Sequence, residues 1–254
     1  MLKFHWMQRV TPYTTLLPNE MKQNNKIFEE IQYESVLFTY FQDMSNAFIR
    51  IAHTIDPSQK FKYMVAVRPY TVSVDFLSSV YDSFNEISKD RIIINFVVGN
   101  VNDIPENILN ENSLVDTYEK RLIYHKSFIS RFKDKYIGHI EPTVYVSGSS
   151  DYLINTGLNY SDGIITEFAN YNKFKHILDK NVVFLLPICI RDDVKEAELL
   201  GKQSGREGVY GNIDTMKERF EYIESLGVKQ LMLCPLDNDD SQYKIHENMS
   251  KFVK

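Results

Sequence analysis

Cysteine is scarce in this chain. There are two in 254 residues, Cys189 and Cys234, far apart and each inside an apolar run. That excludes a disulfide framework as the source of stability and fits a reducing cytoplasm. No apolar run approaches the roughly 18 residues of a membrane-spanning helix, so no membrane partner is expected. The opening MLKFHWMQRV lacks the long apolar core of a secretory signal. Basic clusters are missing too. The formal net charge is −5 and Lys and Arg are scattered, which argues against nucleic acid as a partner. The six histidines, at positions 5, 53, 125, 139, 176 and 246, show neither HxxxH nor HxH spacing, and no metal site is expected. His5, on the first strand, reads as a satisfied core histidine.

What is present is an ordinary soluble composition with a rich supply of rings. Hydrophobic residues make up 43% and aromatics 13%, including 16 Tyr and 16 Phe, enough for one large core. Strand-like and helix-like segments alternate, the pattern of βα units on a parallel sheet. Strands are expected at Leu2–Val10, Glu34–Tyr40, Lys62–Pro69, Arg91–Gly99, Thr143–Val146, Asp162–Glu167, Asn181–Ile190 and Lys229–Leu236. RIIINFVVG is the clearest of them, a continuous apolar run of the kind buried on both faces. Helices are expected between them, near Lys22–Gln32 and over Asp43–Ile55, Ser73–Ser88, Leu114–Lys133, Asp151–Asn159, Asn170–Leu178, Asp193–Lys202 and Asp214–Leu226. Phe48, Ile51 and Ala52 are assigned to the buried face of the second, Ser73 to the N-cap of the third and Gly227 to the C′ position of the last. Eight parallel strands close a barrel, and 254 residues is the length of one. The expected fold is therefore α/β, a (β/α)8 TIM barrel forming one domain over residues 1–254. The competing architecture is an open doubly wound sheet, which usually has fewer strands and a GxGxxG that the first strand here does not lead into.

Three segments resemble the bacterial luciferase-like flavin monooxygenases, and most closely their alkanesulfonate branch. Phe61–Asn100 has an apolar strand ending in Arg68-Pro69, then a helix, a turn at Ile87-Ser88 and Arg91, and a strand ending in Gly99. Pro142–Thr166 has a strand, Gly148-Ser149-Ser150, a helix and Asp162-Gly163. The stretch from Tyr210-Gly211-Asn212 through ESLGVKQLMLCP resembles the family's closing helix and eighth strand, and Trp6 matches an aromatic in its first strand. The order and spacing of these segments carry the resemblance over most of the chain.

The first candidate site is Gly148-Ser149-Ser150. A helix that starts after a strand offers unpaired backbone N–H groups and the positive end of its dipole to an anion. The alternative is a helix cap and nothing more. The resemblance implies that Ser149 and Ser150 hold the flavin phosphate, with Gly148 permitting close approach. Val98 stands where related enzymes often have a threonine that bonds the flavin ring, and Asn100 either contributes there or is turn chemistry. Asn46 aligns with the loop beside the isoalloxazine or lies on an exposed first turn. Around Asp116 to Arg121 the family has an Asp, a His and then Glu-Arg-Tyr, of which the His and Tyr help hold the phosphate, and Thr117 or Tyr118 stands at the His position here. Arg121 has the fork that suits phosphate, against the reading of a solvated helix face. Gln8, Tyr40, Met44 and Arg206 are substrate-side candidates, and no residue is assigned a catalytic role.

The resemblance implies FMN, reduced by a separate flavin reductase, with oxygen adding at the flavin C4a position to form a peroxide that attacks a small organic substrate. It further implies a homodimer and a cytoplasmic location. The departures concern the substrate end. The alkanesulfonate branch has a His and an Arg on its seventh strand, where this chain has Leu185-Leu186-Pro187, and its tyrosine after the eighth strand falls at Leu236. A site without those groups suits an anionic sulfonate poorly, so a less anionic substrate is expected. Two further readings stand beside the monooxygenase: a non-catalytic flavin-binding barrel, and an oxidoreductase using the deazaflavin F420.

Overall fold

The computed structural model describes residues 2–8, 18–39, 47–99, 115–236, 241–249 and 252. Among these are nine strands: β1 (Lys3–Gln8), β2 (Ser35–Phe38), β3 (Lys62–Val67), β4 (Ile92–Val97), β5 (Thr143–Ser147), β6 (Gly163–Glu167), β7 (Val182–Ile190), β8 (Val209–Gly211) and β9 (Gln230–Pro235). They form one sheet in the order β6-β5-β4-β3-β2-β1-β9-β7-β8, and a β6–β7 pairing closes it. Eight of them make the barrel of a (β/α)8 fold. The ninth, β8, adds to the end of β7, with Ile188 opposite Val209 and Ile190 opposite Gly211. β8 was not expected, because three residues between glycines carry no strand periodicity.

The helices, in chain order, are α1 (Pro18–Ile31), α2 (Ala47–Ala52), α3 (Val74–Ser88), α4 (Tyr118–Asp134), α5 (Ser150–Tyr152), α6 (Leu158–Tyr160), α7 (Tyr171–Phe174), α8 (Val194–Ser204), α9 (Ile213–Ser225) and α10 (Ser241–Met249). A π-helical turn, Leu153–Gly157, joins α5 to α6, and 3₁₀ turns Phe168–Asn170 and Lys175–Ile177 flank α7. The expected helix at Asn170–Leu178 is thus split into three short pieces. α10 lies beyond the last element expected from the sequence.

Several helix starts follow from single side chains. Ser73 Oγ accepts the Phe76 amide at 3.1 Å, and Thr117 Oγ1 accepts that of Lys120 at 3.3 Å. Asp193 Oδ1 accepts from Lys195 at 2.9 Å and Glu196 at 3.4 Å. Thr117 caps α4, which begins at Tyr118; Leu114, where the helix was expected to start, lies outside the described residues. Gly227 follows α9 at φ 83°, in the left-handed position expected of it. Replacing Asp193 or Ser73 with Ala is expected to cost about 1 kcal/mol each, read as a lower urea midpoint with unchanged slope.

The chain divides into two compact units, residues 38–165 and residues 1–37 with 166–254. In the first, β3, β4 and β5 run parallel in register, Ile94 facing Val65 on one side and Val144 on the other. Phe96 on β4 packs edge-on against Phe128 and Phe132 of α4, at 5.7 and 5.6 Å between ring centres. α2 turns a different face inward than its apolar residues suggest: Ala52 is exposed, and Arg50 is buried with Ala47, Phe48 and Ile51.

In the second unit, β7 carries VVFLLPICI with all but Leu185 buried. It pairs in parallel with β9, Leu186 opposite Leu233. Trp6 of β1 is fully buried beside Tyr33, Phe28 and, 4.2 Å away, the imidazole of His246 from α10. His5 is satisfied within this unit, its Nδ1 lying 2.8 Å from Ser35 Oγ and its Nε2 3.1 Å from Gln230 Oε1. Cys189 and Cys234 are both buried, and neither is in a disulfide.

Candidate functional site

In a closed α/β barrel the groups that meet ligands sit at the C-terminal ends of the strands. Within residues 38–165 these ends are Thr39 after β2, Arg68 after β3, Val98-Gly99 after β4 and Gly148 to Ser150 after β5.

The β5 end brings together most of the cofactor candidates that the structure describes. Gly148 sits in a tight place. A β-carbon at this position would stand 3.1 Å from the Tyr152 ring and 3.2 Å from Val98 Cγ2. Gly99 is the more constrained of the two, with φ 73° and the Tyr70 hydroxyl where a β-carbon would go. Val98 is buried under Gly148, and its amide donates to Ser147 O at 3.2 Å. Ser147 Oγ donates to the buried Asn95 Oδ1 at 3.0 Å, tying β5 to β4 beneath the turn.

Ser149 occupies the N-cap position with φ −65° and ψ 152°, yet its hydroxyl makes no capping bond. Its amide donates to Tyr118 Oη at 3.2 Å. Tyr118 thereby accepts one bond and keeps its own O–H to give. The Arg121 guanidinium lies 5.6 Å over the Tyr118 ring. Arg121 is only 5% exposed; one nitrogen donates to Val115 O at 3.1 Å, and Nε has no partner among the described residues. Behind this group, His125 Nδ1 and the Tyr152 hydroxyl lie 2.8 Å apart. Burial pushes the His125 imidazole down to about 4, against a smaller opposing effect of the Phe96 backbone. Burial also pushes the Tyr152 phenol up.

The arrangement can hold a phosphate. It has a turn where a side chain would be crowded, a helix start whose hydroxyl makes no capping bond, a phenol with a proton to donate, and a buried guanidinium with an N–H unused among the described residues. Tyr152 and His125 went unnoticed in the sequence because they meet across 27 residues through tertiary packing.

The substrate-side candidates are elsewhere or not described. Asn46, Tyr40, Met44 and Asn100 lie outside the described residues. Gln8 and Arg206 belong to the other unit. Gln8 ends β1, buried, with its carboxamide oxygen unpartnered among the described residues. Arg206 turns the side of its fork onto Glu167 at the end of β6, Nη2 to Oε1 at 2.8 Å and Nε to Oε2 at 3.4 Å, and points Nη1 at Cys234 Sγ, 3.8 Å away. Burial alone would lower this guanidinium, but Cys234 and Glu167 together hold it above its ordinary value. Tyr210 donates to Arg206 O at 2.8 Å and fixes the turn that carries it. Arg206, Lys202, Tyr210 and Arg219 line a pocket of about 490 Å³ on this unit. Arg206 is thus already neutralised by a carboxylate.

No protein-family model matches the chain. Solved structures do resemble it. EDTA monooxygenase (EmoA) from Chelativorans sp. BNC1 has a TM-score of 0.74 at 10% identity, covering 99% of this chain and 93% of its own. The oxygenating constituent of 3,6-diketocamphane monooxygenase from Pseudomonas putida, in complex with FMN, has a TM-score of 0.72 at 10% identity, covering 100% and 98%. An F420-dependent secondary alcohol dehydrogenase, in complex with an F420-acetone adduct, has a TM-score of 0.70 at 10% identity, covering 99% and 97%. At these identities the likeness establishes the (β/α)8 fold. Among the described residues no helix is long and apolar enough to cross a membrane.

Proposed function

We propose that the chain is a flavin-dependent monooxygenase of the luciferase-like kind, one domain over residues 1–254, acting on a small organic molecule. The observation that carries this reading is the β5 turn. Gly148 leaves open a space that a β-carbon would crowd against the Tyr152 ring and Val98, and the Ser149 hydroxyl beside it caps nothing. Gly148, Ser149, Ser150, Tyr118 and Arg121 are the residues that would hold the FMN phosphate. Arg121 neutralises it, and the helix start and the Tyr118 hydroxyl orient it. Val98 offers an apolar contact at the end of β4. FMN, arriving reduced from a separate reductase, supplies the electrons that activate dioxygen, and the chain positions substrate and keeps water away. A cytoplasmic homodimer is part of the same reading.

The resemblance to the alkanesulfonate branch does not extend to its substrate, since Leu185, Leu186, Pro187 and Leu236 replace its polar groups. A second reading, an F420-dependent oxidoreductase, draws support from the F420-bound alcohol dehydrogenase among the structural neighbours. Titration of the purified chain with FMN and with F420, followed by fluorescence, separates the two. FMN binding at micromolar concentration, together with substrate-dependent oxygen uptake in the presence of a flavin reductase, is the expected result. Failure to bind FMN in either redox state sinks the monooxygenase reading. FMN binding without substrate-dependent oxygen uptake favours the non-catalytic barrel.

A further inference from the structure

Arg50 sits on α2, one residue past its midpoint, and is 5% exposed. One nitrogen, Nη2, donates to the Thr39 carbonyl at the end of β2. Among the described residues the other two, Nε and Nη1, have no partner, and neither does the Thr39 hydroxyl, on a residue that is itself 9% exposed. Among the described residues no carboxylate pairs with this cation, and burial alone pulls its pKa down to about 10. Folded proteins pair or hydrogen-bond the charges they bury, because an isolated one is costly to remove from water. Arg206 shows the ordinary solution in this same chain, with Glu167 on its fork. Arg50 lacks it.

The chemistry of the fork defines what is missing. A guanidinium presents two edges, each with a pair of parallel N–H groups, Nε with Nη2 and Nη1 with Nη2. Thr39 O takes one Nη2 hydrogen. Whichever it takes, the other edge keeps both of its donors. A pair of parallel donors matches two oxygens of a carboxylate or phosphate, and the Thr39 hydroxyl adds a third donor. We propose that Arg50 and Thr39 form a subsite for one oxyanion, a carboxylate or phosphate, carried by a small molecule other than the flavin. Its position after β2 places it at the end of the barrel where ligands bind. Arg121 already answers to the flavin phosphate, and FMN has no second one. Assigning the oxyanion to the substrate rests on that flavin reading; the existence of the subsite does not. The substrate so defined is an acid, which revises the less anionic one expected from residues 185–187 and Leu236.

The test is thermal unfolding of the full chain with acetate and with inorganic phosphate, using Arg50→Met, Arg121→Met and the double variant. Ligand that binds only the folded state raises Tm by mass action. In Arg121→Met, both anions are expected to raise Tm by a few degrees, and in the double variant neither does. In an anion-poor buffer, Arg50→Met is expected to melt no lower than wild type, since an apolar side chain replaces a buried uncompensated charge. An unresponsive Arg121→Met, or a response that persists in the double variant, overturns the subsite. So does an Arg50→Met that melts lower than wild type with and without anion, which assigns Arg50 to bracing Thr39. Arg50→Lys covers a failure to fold: it keeps the charge without the fork and is expected to weaken acetate binding about tenfold. FMN titration separates the sources. Unchanged FMN affinity in Arg50→Met leaves the oxyanion to the substrate, and a loss matching that of Arg121→Met gives it to the cofactor and overturns the assignment. Failure of wild type to bind FMN would remove the flavin reading while leaving the acetate result to stand.

Discussion

Moving from pH 7 to pH 4 is expected to cost this protein about 6 kcal/mol of stability, through two buried histidines. His125 is 1% exposed and its pKa is held down to about 4 by burial. His246 is 6% exposed and is held down to about 3, also by burial. In the unfolded chain both titrate near the ordinary histidine value of about 6.5. Between that value and the folded one, the unfolded state binds protons that the folded state refuses. Stability is therefore complete above about pH 6.5 and falls as pH drops toward about 4 for His125 and about 3 for His246, at roughly 1.4 kcal/mol per pH unit for each. By pH 4 each has contributed about 3 kcal/mol of loss, a large part of the total stability of an ordinary domain. Urea unfolding at pH 7, 5.5 and 4 measures this directly. The variant pair His125→Gln and His246→Phe is expected to lose stability at pH 7, because Tyr152 and Tyr33 lose partners, yet to show a much flatter decline on acidification. A decline as steep as that of wild type would mean that these two imidazoles are not the groups responsible.

His246 also shows how far the sequence could be read. Its helix, SQYKIHENM, has few apolar residues, and Ile245 and Met249 are its buried aliphatic anchors. A histidine is read as polar, so the sequence pattern gave no sign that this one would close over Trp6. The long apolar strands behave oppositely. β4 and β7 are legible because a parallel strand buried on both faces must be apolar throughout. Ser73 and Asp193 are legible as caps because capping is local: the oxygen and the amides it serves are two or three residues apart. β8 is too short to have a period.

The same distinction between local and tertiary runs through the candidate site. Gly148, Ser149 and Ser150 were readable, since a strand, a small-residue turn and a helix start are all sequence-local. Arg50 was not. Ala47, Arg50, Ile51 and Thr54 occupy i, i+3, i+4 and i+7, and all four are buried, a regular inward stripe. Two of the four are polar, so hydropathy draws the stripe through Ala52 instead. A buried arginine breaks the pattern used to find buried faces, and such breaks concentrate at functional positions.

The sharpest consequence of the β5 site concerns a single chemical group on the ligand. FMN and riboflavin share the isoalloxazine and differ by the phosphate. Gly148→Val adds a β-carbon that would stand 3.2 Å from Val98 and 3.1 Å from the Tyr152 ring, with two methyls beyond it crowding the turn further. Arg121→Met removes the buried guanidinium and should be tolerated by the fold, because the charge it deletes has no carboxylate partner among the described residues. Charge-assisted bonds to a phosphate contribute about 1.5–3 kcal/mol each, so either variant is expected to weaken FMN by about 10- to 100-fold. Riboflavin, which has no phosphate to lose, should bind wild type and both variants within about threefold. The contrast between ligands is what identifies the site. A variant that lost both in equal measure would have damaged the ring pocket or the fold. A variant that kept FMN at wild-type affinity would show that the phosphate is held somewhere other than the turn after β5.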